Sequence, residues 1–206
     1  MANPGSPVPD SPRTVQDRSR TIVVSGLPRC GTSLLMAMLR AGGVPLFTDS
    51  LRTADDSNPR GYFEYEPVKR LTPDAPWLPR TAGHAVKIVI PLVRRLPPDF
   101  PCDVLLLERA MPEILASQAA MLCRCGMPAA DARLLGPAFE RELRLTHETL
   151  AAWTGCRLLT LQHRALLSRP FEACEETARF LRIPLDSAAM AAVVDPTLHR
   201  QRKESL

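Results

Sequence analysis

Aromatic residues make up only 5% of the 206-residue chain, and lysine is scarcer still: Lys69, Lys87 and Lys203 are the lysines among 26 basic side chains. A face for long nucleic acid needs clustered cations interleaved with stacking rings, so no such partner is expected. The net charge of +4 is mild and suits a small anionic ligand. The arginine bias reads as composition, yet it makes the surroundings of each lysine worth asking about. No run of about 18 apolar residues occurs, so nothing is expected to span a membrane. The first twenty residues, MANPGSPVPDSPRTVQDRSR, lack the apolar stretch of a secretory signal. They read as a disordered leader before one domain over 21–206, and a cytoplasmic location is expected. Six cysteines are scattered along the chain. Cys123 and Cys125 are spaced neither as C-x-x-C nor as a zinc ligand pair. The cysteines read mostly as small buried apolar residues in a reducing compartment, and no metal is expected.

What is present is organised around TIVVSGLPRCGTSLLMAML, residues 21–39. Thr21, Ile22, Val23 and Val24 form the β-branched run of a buried parallel strand. Gly26 and Gly31 bracket a loop stiffened by Pro28, and Thr32 and Ser33 stand where a helix begins. The first N–H groups of a helix have no partners within it, and its macrodipole is positive there, so the hollow favours an anion. The spacing nearly fits the nucleoside-triphosphate loop G-x-x-x-x-G-K-[ST]. Thr32 occupies the lysine position, which argues against ordinary triphosphate chemistry. The cation sits earlier, at Arg29, and suits a smaller anionic group. A plain glycine turn leaves Arg29 and the Thr-Ser pair unexplained.

The rest of the chain alternates strand and helix. Leu34, Leu35, Met38 and Leu39 repeat at helical spacing until Gly42 and Gly43. Residues 45–62 are too long and polar for an idle connector. Strands are expected at Ala85–Ile90, Asp103–Glu108 and Arg157–Leu161. Helices are expected around 112–122, at 137–153, at Pro170–Leu181 and at 186–194. Such alternation implies a parallel sheet with helices on both faces, and ligands in such sheets sit beyond the carboxyl ends of the strands. The glycine loop, Pro91 and Arg109 all fall at those ends.

Pro28, Arg29, Cys30, Gly31, Thr32 and Ser33 (PRCGTS) resemble the 5′-phosphosulfate loop of the sulfotransferases, P-[KR]-[ST]-G-[ST]-[ST]. The stretch VPLFTDSLRTADDSNPRGYFEYEPVK is similar to a subgroup of bacterial sulfotransferase-like proteins. The resemblance covers roughly residues 20–200. It implies an α/β fold, a P-loop-like three-layer sandwich with a central parallel sheet flanked by helices. It also implies transfer of a sulfuryl group from 3′-phosphoadenosine 5′-phosphosulfate (PAPS) to a hydroxyl or amine acceptor, with release of 3′-phosphoadenosine 5′-phosphate (PAP). The family holds the 3′-phosphate with an Arg and a Ser at the spacing of Arg109 and Ser117, and a fork plus a single donor suits a phosphate dianion. Arg109 and Ser117 also read as a helix-capping Arg and a solvated Ser.

Lys87 lies in the apolar run AVKIVIP, where an unpaired lysine is expensive to bury. Many cytosolic members carry K-T-H-L-P there, with the Lys and His catalytic. Here Lys87 and Pro91 match, but Val89 stands at the histidine position and cannot take a proton. Lys87 therefore reads either as a cleft residue or as an edge-strand charge facing water. Some members use a glutamate as base. Glu64 is the favoured candidate, beside Glu66, Asp49 and His84, each of which also reads as a surface group. The basic C-terminal segment lacks the family pattern R-K-G-x-x-G-x-W, and Arg200 and Arg202 read either as folding back to the 3′-phosphate or as part of a frayed, solvated tail. Two other readings stay open: a non-catalytic nucleotide-binding module, and an ATP-dependent kinase on the same fold. The acceptor is not legible.

Overall fold

The apolar runs become one all-parallel sheet, ordered β2-β1-β3-β4, in a computed structural model that describes residues 19–49, 51–52, 58 and 61–195. The strands are β1 (Thr21–Gly26), β2 (Ala85–Lys87), β3 (Cys102–Glu108) and β4 (Cys156–Gln162). β1 is buried along its whole length and β3 along all but its last residue, as the central pair of a covered parallel sheet should be. β4 is half-exposed because it closes one edge. At the other edge, residues 45–47 follow β2: Ala85 N donates to Pro45 O at 2.9 Å and Phe47 N to Ala85 O at 2.8 Å.

The helices are α1 (Thr32–Ala41), α2 (Met111–Arg124), α3 (Ala132–Ala151), α4 (His163–Ser168), α5 (Pro170–Leu181) and α6 (Ser187–Ala192). The β1–α1–β2 connection steps one way across the sheet and β3–α2–α3–β4 the other. Right-handed crossovers then put α1 on one face and α2 with α3 on the opposite face. α5 and α6 pack together, and α6 packs on α1. The core holds Val23, Val24, Leu35, Met38, Leu105 and Leu106, all without exposed surface.

Several boundaries differ from the sequence expectation. Regular pairing of β2 stops at Lys87 rather than Ile90, although Ile88 N and Ile90 N still donate to Val24 O and Gly26 O at 3.0 and 3.1 Å. α3 starts at 132 rather than 137, because the Asp131 carboxylate accepts from Arg133 N at 2.8 Å and caps it. α4 has no counterpart in the expectation, since six residues are too few for a periodic stripe. Arg20, assigned to the leader, belongs to the domain. It bonds Asp103 Oδ1 at 2.7 Å, Cys102 O at 2.6 Å and Gly155 O at 2.7 Å. Residues 1–18 and the basic segment with Arg200 and Arg202 lie outside the described residues. Among the described residues, no helix is long and apolar enough to cross a membrane.

Candidate functional site

The chain departs in opposite directions from β1 and β3, which are neighbours. That is the topological switch point of an open parallel sheet, where a crevice opens beyond the carboxyl ends. Three segments leave the sheet here: the 27–31 loop after Gly26, Arg109 after β3, and His163 after β4.

The loop is tightly determined. Arg29 has φ 69° and Gly31 φ 104°. A Cβ on Gly31 would lie 2.6 Å from His163 Cδ2 and 3.3 Å from Leu107 Cδ2, so this position needs glycine for space as well as for φ. Gly31 N-caps α1 and has no side chain with which to satisfy the helix's first N–H groups. Thr32 is buried and Pro28 half-buried. Cys30 does not point into the hollow. Its thiol packs beneath the loop, 2.4 Å from where a Gly26 Cβ would stand, and is fully buried. Burial pushes it up to about 12, so it is no thiolate at neutral pH.

Arg29 and Arg109 meet. Arg109 Nη1 donates to Arg29 O at 3.2 Å, and Arg29 Nε donates to Ser117 Oγ at 3.2 Å. One strand tip, the loop and the second turn of α2 are thereby joined. Ser117 is buried and Arg109 nearly so. Glu113, one turn along α2, fixes the fork through Arg109 Nε at 2.8 Å.

A second cluster faces the first turn of α1 from β2. Lys87 is on an edge strand but only 6% exposed, because residues 62–64 cover it. Its ammonium donates to Tyr62 O and, at 3.3 Å, to Ser33 Oγ. Glu64 Oε1 lies 3.5 Å from Lys87 Nζ and 2.9 Å from Arg52 Nη1. Arg52 also stacks on the Tyr62 ring at 3.4 Å. Burial pushes Lys87 down to about 8 against the opposing pull of Glu64, so its charge changes just above neutrality.

The carboxylates and ring of the other candidate bases have other partners, although Asp49 N donates to Glu64 O at 2.9 Å. Asp49 accepts from Leu51 N at 3.1 Å and Glu66 N at 2.6 Å, a turn-forming role. Glu66 is exposed and paired with Lys69 at 2.7 Å. His84 precedes β2, at the amino end of the sheet, and bonds Ala82 O at 2.9 Å.

Three groups at the carboxyl ends escaped the sequence reading. His163 abuts Gly31 directly after β4, and the strand-end rule that singled out Arg109 points to it equally. Glu108 holds His147 Nε2 at 2.6 Å and Gln162 Nε2 at 3.0 Å, a pairing across 39 and 54 residues with no local signal. Arg52 reaches Glu64 from within a polar loop, again without a spacing that marks it.

No family profile matches the chain and no curated protein matches it in sequence. Among solved structures it is similar to the sulfotransferase domain from the curacin biosynthetic pathway. The TM-score is 0.52 and the identity 13%, over 91% of this chain and 93% of that one. At that identity the likeness speaks for architecture: the chain has a sulfotransferase-like α/β fold.

Proposed function

We propose that this protein is a cytoplasmic PAPS-dependent sulfotransferase acting on a hydroxyl or amine acceptor. The observation that carries the reading is the Ser117–Arg29–Arg109 chain beside a lysine-free glycine loop. A 5′-phosphosulfate on the α1 N-terminus takes Arg29, Thr32, Ser33 and the loop N–H groups as partners. A 3′-phosphate takes the Arg109 fork and the Ser117 hydroxyl. In transfer, the acceptor's oxygen or nitrogen bonds to sulfur as the bond from sulfur to the bridging phosphate oxygen breaks. Glu64 receives the acceptor's proton, while Lys87 and Arg29 balance the charge that grows on the departing phosphate.

The test is incubation with sulfur-labelled PAPS and a panel of alcohols, phenols and amines, reading label transfer and PAP release. The proposal expects transfer to at least one class. It also expects Glu64→Gln to lower transfer at least tenfold while PAP binding holds. Unchanged turnover would remove Glu64 as the base. A second reading, a PAP-binding module without transfer, is favoured by one observation: Glu64 is shared between Arg52 and Lys87. Tight PAP binding with no transfer to any acceptor would select it.

A further inference from the structure

The amino end of the sheet carries a thiol pair that the nucleotide reading does not use. Cys102 and Cys156 open β3 and β4 and are direct partners in the parallel register. Neighbouring strands run about 4.8 Å apart, inside the roughly 4.4–6.8 Å separation of Cα atoms that a disulfide spans. The Cys156 thiol donates to Arg157 O at 3.5 Å. Their access differs: Cys102 has no exposed surface, whereas Cys156 is half-exposed. The backbone around them is pinned by Arg20, whose guanidinium bonds Cys102 O and Gly155 O, and by Cys102 N donating to Gly155 O at 3.1 Å.

We propose that Cys102 and Cys156 form a thiol–disulfide exchange site, which closes to an intrachain disulfide at the expense of a small-molecule disulfide. The half-exposed Cys156 thiolate attacks one sulfur of the small disulfide, RSSR. The S–S bond breaks, a mixed disulfide forms on Cys156 and one thiolate RS⁻ leaves. Cys102 then gives its proton to the first RS⁻ and attacks the Cys156 sulfur, expelling the second RS⁻, which takes up the proton that Cys156 released. Protein dithiol plus RSSR becomes protein disulfide plus two RSH.

The electrostatics agree with that division of labour. The neighbouring Cys102 thiol pulls the Cys156 thiol down, against burial and with help from the Arg20 guanidinium. The neighbouring Cys156 thiol, then burial, pushes Cys102 up. Once Cys156 carries the mixed disulfide, its negative charge is gone and Cys102 is freer to ionise. The staple closes a span that includes Arg109, Glu113 and Ser117, yet lies six residues along β3 from the candidate site, about 20 Å away.

The experiment treats the folded full chain with glutathione disulfide, in a background where the exposed Cys123 and Cys125 are replaced by serine. Acid quenching and peptide mass mapping follow. The expected product is a Cys102–Cys156 cross-linked peptide, lighter by two hydrogens than the pair of reduced peptides, without lasting glutathione on Cys156. Cys102→Ser, with Cys102→Ala as a second version, should instead accumulate the glutathione adduct at Cys156. Circular dichroism checks that both variants are folded. Cys156→Ser should leave Cys102 unmodified. Persistence of the mixed disulfide when Cys102 is present, or recovery of both thiols unreacted, would overturn the assignment.

Discussion

Replacing Lys87 by methionine tests whether its ammonium is held out of water. The two side chains have similar volume, so the substitution removes charge more than packing. Burial lowers Lys87 from its ordinary 10.5 to about 8. The folded state therefore holds this proton less tightly than the unfolded chain does. Between about 8 and 10.5 the unfolded chain binds more protons, so this group makes stability rise with pH across that window. Below about 8 the full penalty applies. At about 1.4 kcal/mol per pH unit it is roughly 3 kcal/mol, and the 5% exposure of the side chain keeps solvent screening small. Methionine removes the penalty but takes the Lys87 donor from the Tyr62 carbonyl, which keeps only the longer contact from Ser33 Oγ at 3.5 Å, at a cost of about 1–3 kcal/mol. The variant is thus near neutral or mildly stabilised at pH 7.

The decisive quantity is the difference between the two proteins' pH profiles, in which other titrating groups largely cancel. Urea unfolding at several pH values should show wild type gaining on Lys87→Met by about 2 kcal/mol from about pH 6.5 to about pH 9.5. Parallel profiles would refute the burial argument. Transfer activity should fall at least a hundredfold in the same variant.

Gly31→Ala would place a methyl group 2.6 Å from His163 Cδ2 at a φ of 104°. It should destabilise the fold by about 2–4 kcal/mol, read by thermal melting. Adding His163→Ala should recover only part, because the backbone strain remains. At the amino end, Asp103→Asn strips the carboxylate shared by Arg20 at 2.7 Å and Arg157 Nε at 2.7 Å. Asp103 is 2% exposed, so a loss of about 3 kcal/mol in urea unfolding is expected. A loss under about 0.5 kcal/mol would mean the two guanidinium groups are satisfied without it.

How much of this was legible in the sequence depends on the range of the interactions involved. The β-branched run at 21–24 and the glycines at 26 and 31 declare a strand and a tight turn into a helix through local chemistry, and both stand where expected. The parallel order of the sheet follows from alternating elements and the handedness of crossovers. The inward turn of Cys30 is not legible from the loop's spacing, which does not say which way a side chain points; close packing on Gly26 holds it there. Arg52 on Glu64, Glu113 on Arg109 and His147 on Glu108 are products of tertiary packing. Of these, only the i,i+4 spacing of Arg109 and Glu113 leaves a mark in the chain, and in an arginine-rich sequence such a pair is common.

The most direct test of the central claim is calorimetric titration with PAP, AMP and ATP, on wild type and on Arg109→Ala. A nucleotide gripped at both ends predicts that PAP binds more tightly than either AMP or ATP. Arg109→Ala should weaken PAP by about 10- to 100-fold, the worth of a charge-assisted phosphate contact, and weaken AMP much less, since AMP loses only the indirect support of the Arg29 carbonyl. Equal affinity for PAP and AMP, or an Arg109→Ala variant that binds PAP as wild type does, would contradict the account.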